Sequence, residues 1–138
     1  MECVLDCSLA LAWALPDEGS MRAEKLLGQI TPRSILLVPA LWWYEISNAL
    51  TMAQRRYRLA EADSRRVMEL YEALPIQTDV DLGLDTVWRL QALAQQYSLS
   101  AYDAAYLELA QRKGVRLATL DRRLIMSARK AGVRVLPS

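Results

Sequence analysis

The sequence contains no histidine. That absence excludes a serine–histidine triad, a histidine-pair ribonuclease mechanism and every metal site built on imidazole, so any chemistry must use other groups. Cysteine is scarce too: Cys3 and Cys7 are the only two. They lie too close along the chain to staple a fold and have no third cysteine to complete a zinc site, so buried, reduced thiols are expected. No apolar run approaches the roughly 20 residues of a membrane span. The start, Met1-Glu2-Cys3-Val4-Leu5-Asp6, lacks the basic head and apolar stretch of a signal peptide, so a cytoplasmic location away from membranes is expected. Net charge is only +1; no global basic field announces a nucleic acid, and any such binding must come from local patches.

What is present suffices for a core. With 53% hydrophobic and 24% charged residues in 138, the chain suits a single domain spanning 1–138. Cys3-Val4-Leu5 reads as a short buried strand ending at Asp6, with Ser8 as an N-cap for a helix over Leu9 to Leu15 that Pro16 closes. Ala23, Leu26, Leu27 and Ile30 mark one face of a second helix, and Ile35 to Val38 a second strand. Further helices are read from Leu41 to about Arg56, through Val67, Leu70, Tyr71 and Leu74, and from about Asp79 through Val87, Leu90, Leu93 and Tyr97, with a short strand at Pro75-Ile76-Gln77. Ser100 caps a helix that Gly114 terminates; Val115 to Ala118 is a strand; Leu124, Ala128 and Ala131 stripe the last helix; Val133 to Leu136 closes as a strand. Short strands without polar alternation, interleaved with helices, point to an α/β three-layer sandwich: a short central parallel sheet flanked by helices.

Four acids stand out. Asp6 follows an apolar strand, where open parallel sheets bind ligands, although a turn aspartate or helix cap explains it equally. Glu45 lies in Leu41-Trp42-Trp43-Tyr44-Glu45-Ile46, a helix apolar in nearly every direction. A carboxylate buried there needs a cation, an arginine or a proton; a structural ion pair is the plain alternative. Asp103 opens a helix, and Ser100-x-x-Asp103 fits a capping box; Asp121 fits an N-cap of the last helix. Yet Asp6 and Asp121 end strands while Glu45 and Asp103 lie in first turns of helices beginning at the same sheet edge, so all four can share one pocket. Converging carboxylates repel unless a hard cation neutralises them, and oxygen-only ligands suit Mg²⁺ or Mn²⁺. One such ion, or a pair about 4 Å apart, supports phosphodiester hydrolysis without histidine.

Asp6-Cys7-Ser8, Glu45-Ile46-Ser47-Asn48-Ala49-Leu50, Ser100-Ala101-Tyr102-Asp103-Ala104-Ala105-Tyr106 and Thr119-Leu120-Asp121-Arg122 together resemble the successive motifs of PIN-domain ribonucleases, in particular the VapC toxins of toxin–antitoxin pairs. The likeness runs from Val4 to about Leu136. It implies an endoribonuclease dependent on Mg²⁺ or Mn²⁺ that acts on structured RNA such as tRNA or rRNA, is often a homodimer, and is inhibited by a small cognate antitoxin. Asp6, Glu45, Asp103 and Asp121 would be the metal ligands, Ser8 and Thr119 neighbouring polar groups, and Asn48 a residue orienting the site. The Trp42-Trp43-Tyr44 run is bulkier than the family pattern there.

Arg122 and Arg123 directly follow a proposed ligand and are candidates for holding an RNA phosphate, against the default of exposed helical charge. Trp13, Trp42, Trp43 and Trp88 all read as packing residues. Adjacent Trp42 and Trp43 point about 100° apart, which lets one fill the core and leaves the other to a partner. Rival readings fare worse. An aspartyl phosphatase would need a second aspartate where Ser8 stands, a receiver would need paired acids at the first strand's end, and four intact acids argue against a non-catalytic RNA-binding module. A housekeeping PIN-type ribonuclease remains the alternative to a toxin.

Overall fold

The computed structural model describes residues 1–138. Five parallel strands, β1 (Glu2–Leu5), β2 (Ile35–Pro39), β3 (Ile76–Asp79), β4 (Arg116–Ala118) and β5 (Val135–Leu136), form one sheet in the order β3-β2-β1-β4-β5. Seven helices cover it: α1 (Cys7–Ala14), α2 (Met21–Gln29), α3 (Leu41–Arg55), α4 (Glu61–Ala73), α5 (Leu84–Tyr97), α6 (Ala101–Lys113) and α7 (Arg122–Lys130). The expected three-layer α/β sandwich is what forms. Cys3, Val4 and Leu5 of β1 and Leu36, Leu37 and Val38 of β2 are all buried, because helices shield both faces of a parallel sheet and leave no reason for polar alternation. No helix is long and apolar enough to cross a membrane.

The strand order places the site. The chain builds outward from β1 to β2 and β3, then returns to β1's other side for β4 and β5, so the order reverses between β1 and β4. Ligand crevices open at the carboxyl ends of the strands at such a switch point. In register, Leu5 pairs with Ala118, and the Asp6 N–H donates to the Ala118 carbonyl at 2.9 Å. The residues after β1 and after β4 therefore emerge side by side.

Behind this edge Trp42 and Tyr106 are fully buried among leucines of α1, β2, α6 and β4. Tyr71 of α4 packs its ring edge-on against Trp42, centroids 5.6 Å apart, and its hydroxyl donates to the Ala10 carbonyl at 2.9 Å, tying α4 to α1.

Several expectations shift. The helix starting at about Asp79 begins instead at Leu84, because Ile76 to Asp79 pair with Leu36 to Pro39 of β2 and Gly83, at φ 139°, turns the chain in a conformation that suits glycine. The strand at 75–77 thus becomes 76–79, and the closing strand shrinks to Val135–Leu136. The apolar stripe of α5 is only partly covered: Leu90, Leu93 and Tyr97 are half-buried, Val87 is exposed, and no residue of the helix is fully buried. Trp13 and Trp42 are core residues as expected, but Trp88 is 68% exposed, since α5 lies outermost. Trp43 is 44% exposed, its indole N–H donating to Thr78 Oγ1 at 2.9 Å.

Charge adds to this partial apolar packing of α5. The Glu108 carboxylate, only 8% exposed, accepts from Arg89 Nε at 2.9 Å and Arg112 Nε at 2.8 Å. Arg112 also reaches Asp79 at 2.6 Å and Arg89 reaches Asp81 at 2.8 Å. The network joins the end of β3, the loop after it, α5 and α6. Removing one partner leaves a buried carboxylate half-compensated, which is costly. Arg112→Ala is expected to destabilise the fold by about 2 kcal/mol, read as a lower urea midpoint at unchanged slope. A loss below about 0.5 kcal/mol, the scale of an ordinary surface pair, would contradict this.

Candidate active site

Asp6, the residue after β1, anchors the site. It is 7% exposed, and its Oδ2 accepts two hydroxyl protons, from Ser8 Oγ and Thr119 Oγ1, each at 2.7 Å. The direction of both bonds is set from behind: Leu120 N–H donates to Ser8 Oγ at 2.9 Å and Asp121 N–H to Thr119 Oγ1 at 3.0 Å. Each hydroxyl accepts a backbone proton and passes its own to Asp6, so the turn after β4 is bound to the turn after β1 through one carboxylate. Helix α1 starts at Cys7 with Asp6 at its N-cap position and no side-chain capping bond. Ser8 is therefore not the cap expected of it; it lies inside the first turn, which turns its hydroxyl toward Asp6.

Asp121 does cap α7, its Oδ1 accepting from Leu124 N–H at 2.9 Å. Asp103 is third in α6, where Ser100 Oγ accepts its backbone N–H at 3.0 Å. That is one half of the expected capping box; the Asp103 carboxylate gives no return bond to Ser100 N–H. Glu45 is the fifth residue of α3, a turn deeper than expected, and is half-buried. The Tyr106 hydroxyl donates to its Oε1, and the Cys7 thiol lies 3.6 Å from the same oxygen.

Electrostatics join the four acids. Burial pushes the Asp6 carboxyl up, its hydroxyl donors oppose this, and the Asp121 charge adds to the rise. Glu45 is raised by burial, opposed by Tyr106, and raised further by Asp6 and Asp103. Asp103 is raised by burial, then by Asp121 and Asp6, with Arg123 acting against. Asp121 thus acts on Asp6 and Asp103, and Asp6 and Asp103 act on Glu45, which links the four charges at one edge. No three side chains close into a finished metal cage; Asp6, Glu45 and Asp121 each turn one oxygen to protein donors instead. The donor set is nonetheless oxygen-only, crowded with like charge and served by no neutralising ion pair, which is the chemistry a hard divalent cation fits.

Of the other sequence candidates, Thr119 is buried in the network and Ser8 half-buried. Arg123 is exposed, and its charge reaches Asp103; Arg122 is exposed beside it, and neither forms a salt bridge. Asn48, one turn beyond Glu45 on α3, is exposed, and its side chain makes no hydrogen bond. Sequence reasoning missed Tyr106 and Cys7. Both thiols are free and buried as expected, but Cys7 also lies against Glu45 and Tyr106. Its place directly after Asp6 was the one available signal.

The chain has relatives in both sequence and fold. The sequence matches the PIN domain family over residues 3–130. It is 33% identical to ribonuclease VapC3 of Pyrobaculum aerophilum over 128 residues, 90% of this chain and 92% of that one. It is 36% identical to ribonuclease VapC9 of Mycobacterium tuberculosis over 122 residues, 88% and 87% of the two chains. A crystal structure of a protein from Pyrobaculum aerophilum superposes with a TM-score of 0.70 at 26% identity, covering 99% of this chain and 84% of that one. A toxin–antitoxin complex from Klebsiella pneumoniae shares the fold at a TM-score of 0.58 and 21% identity, covering 89% of each chain. The chain belongs to the PIN domain family, with VapC proteins among its relatives.

Proposed function

We propose that this protein is an endoribonuclease that uses Mg²⁺ or Mn²⁺ to hydrolyse RNA phosphodiester bonds, and that it is the toxin of a toxin–antitoxin pair. The observation that carries the reading is the mutual crowding of Asp6, Glu45, Asp103 and Asp121 at the switch-point edge, in a chain without histidine. Relatives named VapC ribonucleases support the activity. The fold shared with a toxin–antitoxin complex is in keeping with an antitoxin partner.

In this reading Asp6, Glu45, Asp103 and Asp121 would hold the cation, and the chemistry it would supply is activation of water and neutralisation of charge on the scissile phosphate. Ser8 and Thr119 favour the charged form of Asp6 and aim it by donating to it, and Asn48 is an exposed polar group one turn from Glu45 for orienting the site. Arg122 and Arg123 hold an RNA phosphate that the acids would otherwise repel. The substrate is a structured RNA, tRNA or rRNA, and the protein works in the cytoplasm. The uncovered apolar face formed by Leu82, Leu84, Val87, Trp88 and Tyr102 suits a protein partner, the antitoxin or a second copy in a homodimer.

Purified protein is expected to cleave RNA with Mg²⁺ or Mn²⁺ and to stop when EDTA is added. Asp6→Asn and Asp103→Asn should each remain folded and lose roughly two orders of magnitude or more in rate. Undiminished cleavage by a folded double variant would sink the proposal. Expression should arrest growth, with relief from a small neighbouring gene product; harmless expression with intact cleavage would make it a housekeeping ribonuclease.

Stability should carry the opposite sign. Carboxyls raised in the folded state stabilise it below the ordinary carboxylate range, and that stability is lost as pH rises through the raised values. At neutral pH the site is therefore a destabilising feature. Asp103→Asn should melt about 3 °C higher than the parent in metal-free buffer, and Mg²⁺ should raise the parent's midpoint. A lower midpoint for the folded variant would contradict the electrostatic account.

A further inference from the structure

Tyr106 lies one helical turn after Asp103 on α6 and is fully buried. Its neighbours Ala104, Leu107, Leu109 and Ala110 are buried and apolar, so phenylalanine would fill the same space. The hydroxyl makes the difference. A buried phenol without a partner costs about 1–3 kcal/mol, and this one spends its proton on Glu45 Oε1.

The contacts around that bond are one-sided. Cys7 Sγ lies 3.6 Å from the same Oε1 and 3.3 Å from the Tyr106 hydroxyl oxygen, with the Trp42 carbonyl 3.7 Å from the thiol. Both protein donors thus converge on Oε1, while Oε2 accepts no hydrogen bond from the protein. Glu45 has three side-chain torsions to fix, and α3 alone fixes none of them strongly, since long side chains keep considerable rotamer freedom. A hydroxyl anchored in the rigid core of α6 removes that freedom and selects which oxygen is left over.

We propose that Tyr106 is a positioning residue for the reaction at this site: by holding Oε1 it locks the Glu45 side chain and leaves Oε2 as the single oxygen Glu45 offers to a divalent cation. Tyr106 and Asp103, three residues apart on α6, thereby couple two ligands to one helix. The inference rests on the metal-dependent ribonuclease reading, and it concerns how one ligand of that site is held.

Tyr106→Phe tests it, since the ring stays and only the hydroxyl goes. Two quantities are needed: Mn²⁺ affinity of the RNA-free protein, from the electron paramagnetic resonance signal of free Mn²⁺, and kcat and KM for RNA measured separately. The expected result is a folded variant whose Mn²⁺ Kd is weaker by about 10-fold and whose kcat is lower by a similar factor, with KM for RNA little changed. In a Glu45→Ala background the same substitution should change neither quantity further, because the effect passes through Glu45. A folded Tyr106→Phe protein with parental Mn²⁺ affinity and kcat would overturn the proposal and make Tyr106 a core residue only. An equal loss in the Glu45→Ala background would overturn it as well. Weakened Mn²⁺ binding in Tyr106→Phe, with a parent that binds Mn²⁺ but cleaves no RNA, would support the positioning role and refute the ribonuclease reading. A parent that binds no Mn²⁺ would refute both.

Discussion

The structure turns on one buried carboxylate at the end of its central strand. Asp6 is taken out of water, which raises the free energy of its charge, and the molecule answers with two hydroxyl protons aimed by two backbone N–H groups. Those bonds hold the β1 and β4 turns together across the switch point of the sheet. The same turns deliver Asp121 and, through the helices that open on this edge, Glu45 and Asp103. A stabilising arrangement would have placed an arginine among these acids. The fold instead spends its close arginine pairs elsewhere, on Glu108, Asp79, Asp81, Asp17 and Glu18, and leaves the edge acidic with Arg122 and Arg123 only at its rim.

That division shows how stability and function are separated along the chain. The network around Glu108 fastens α5 and α6 on one flank, and Arg58 with Asp17 and Glu18 fastens the turn after α3 to the turn after α1. In each, arginines lie directly against the carboxylates and offset most of their charge. The acidic edge stays uncancelled by protein, a standing electrostatic cost that makes sense where a cation and a phosphate are to be recruited.

Much of this was legible in the residues. The unalternating strands Cys3-Val4-Leu5 and Ile35 to Val38 announced a covered parallel sheet, and a carboxylate in the apolar run around Glu45 announced an unusual environment. Capping by Asp121, and Ser100 accepting the Asp103 N–H, were readable from local spacing because caps are local interactions. The misreadings have physical causes as well. Ser8 looked like a cap because helix starts are uncertain by a residue, and one residue turned its hydroxyl from the helix end to Asp6. Tyr106 was missed because nothing in a helix pattern reveals that a hydroxyl reaches a residue 61 positions away. The stripe of α5 promised full burial, yet periodicity states only that a face is apolar, and the chain covers Leu90, Leu93 and Tyr97 only in part.

The central claim is that the four carboxylates form one cation site. Diffraction from crystals soaked in Mn²⁺, collected at a wavelength where manganese scatters anomalously, tests it most directly. The claim predicts an anomalous peak within ligand distance of carboxylate oxygens from Asp6, Glu45, Asp103 and Asp121. A fully soaked crystal with no peak at this edge, or with its only strong peak elsewhere on the surface, would contradict it.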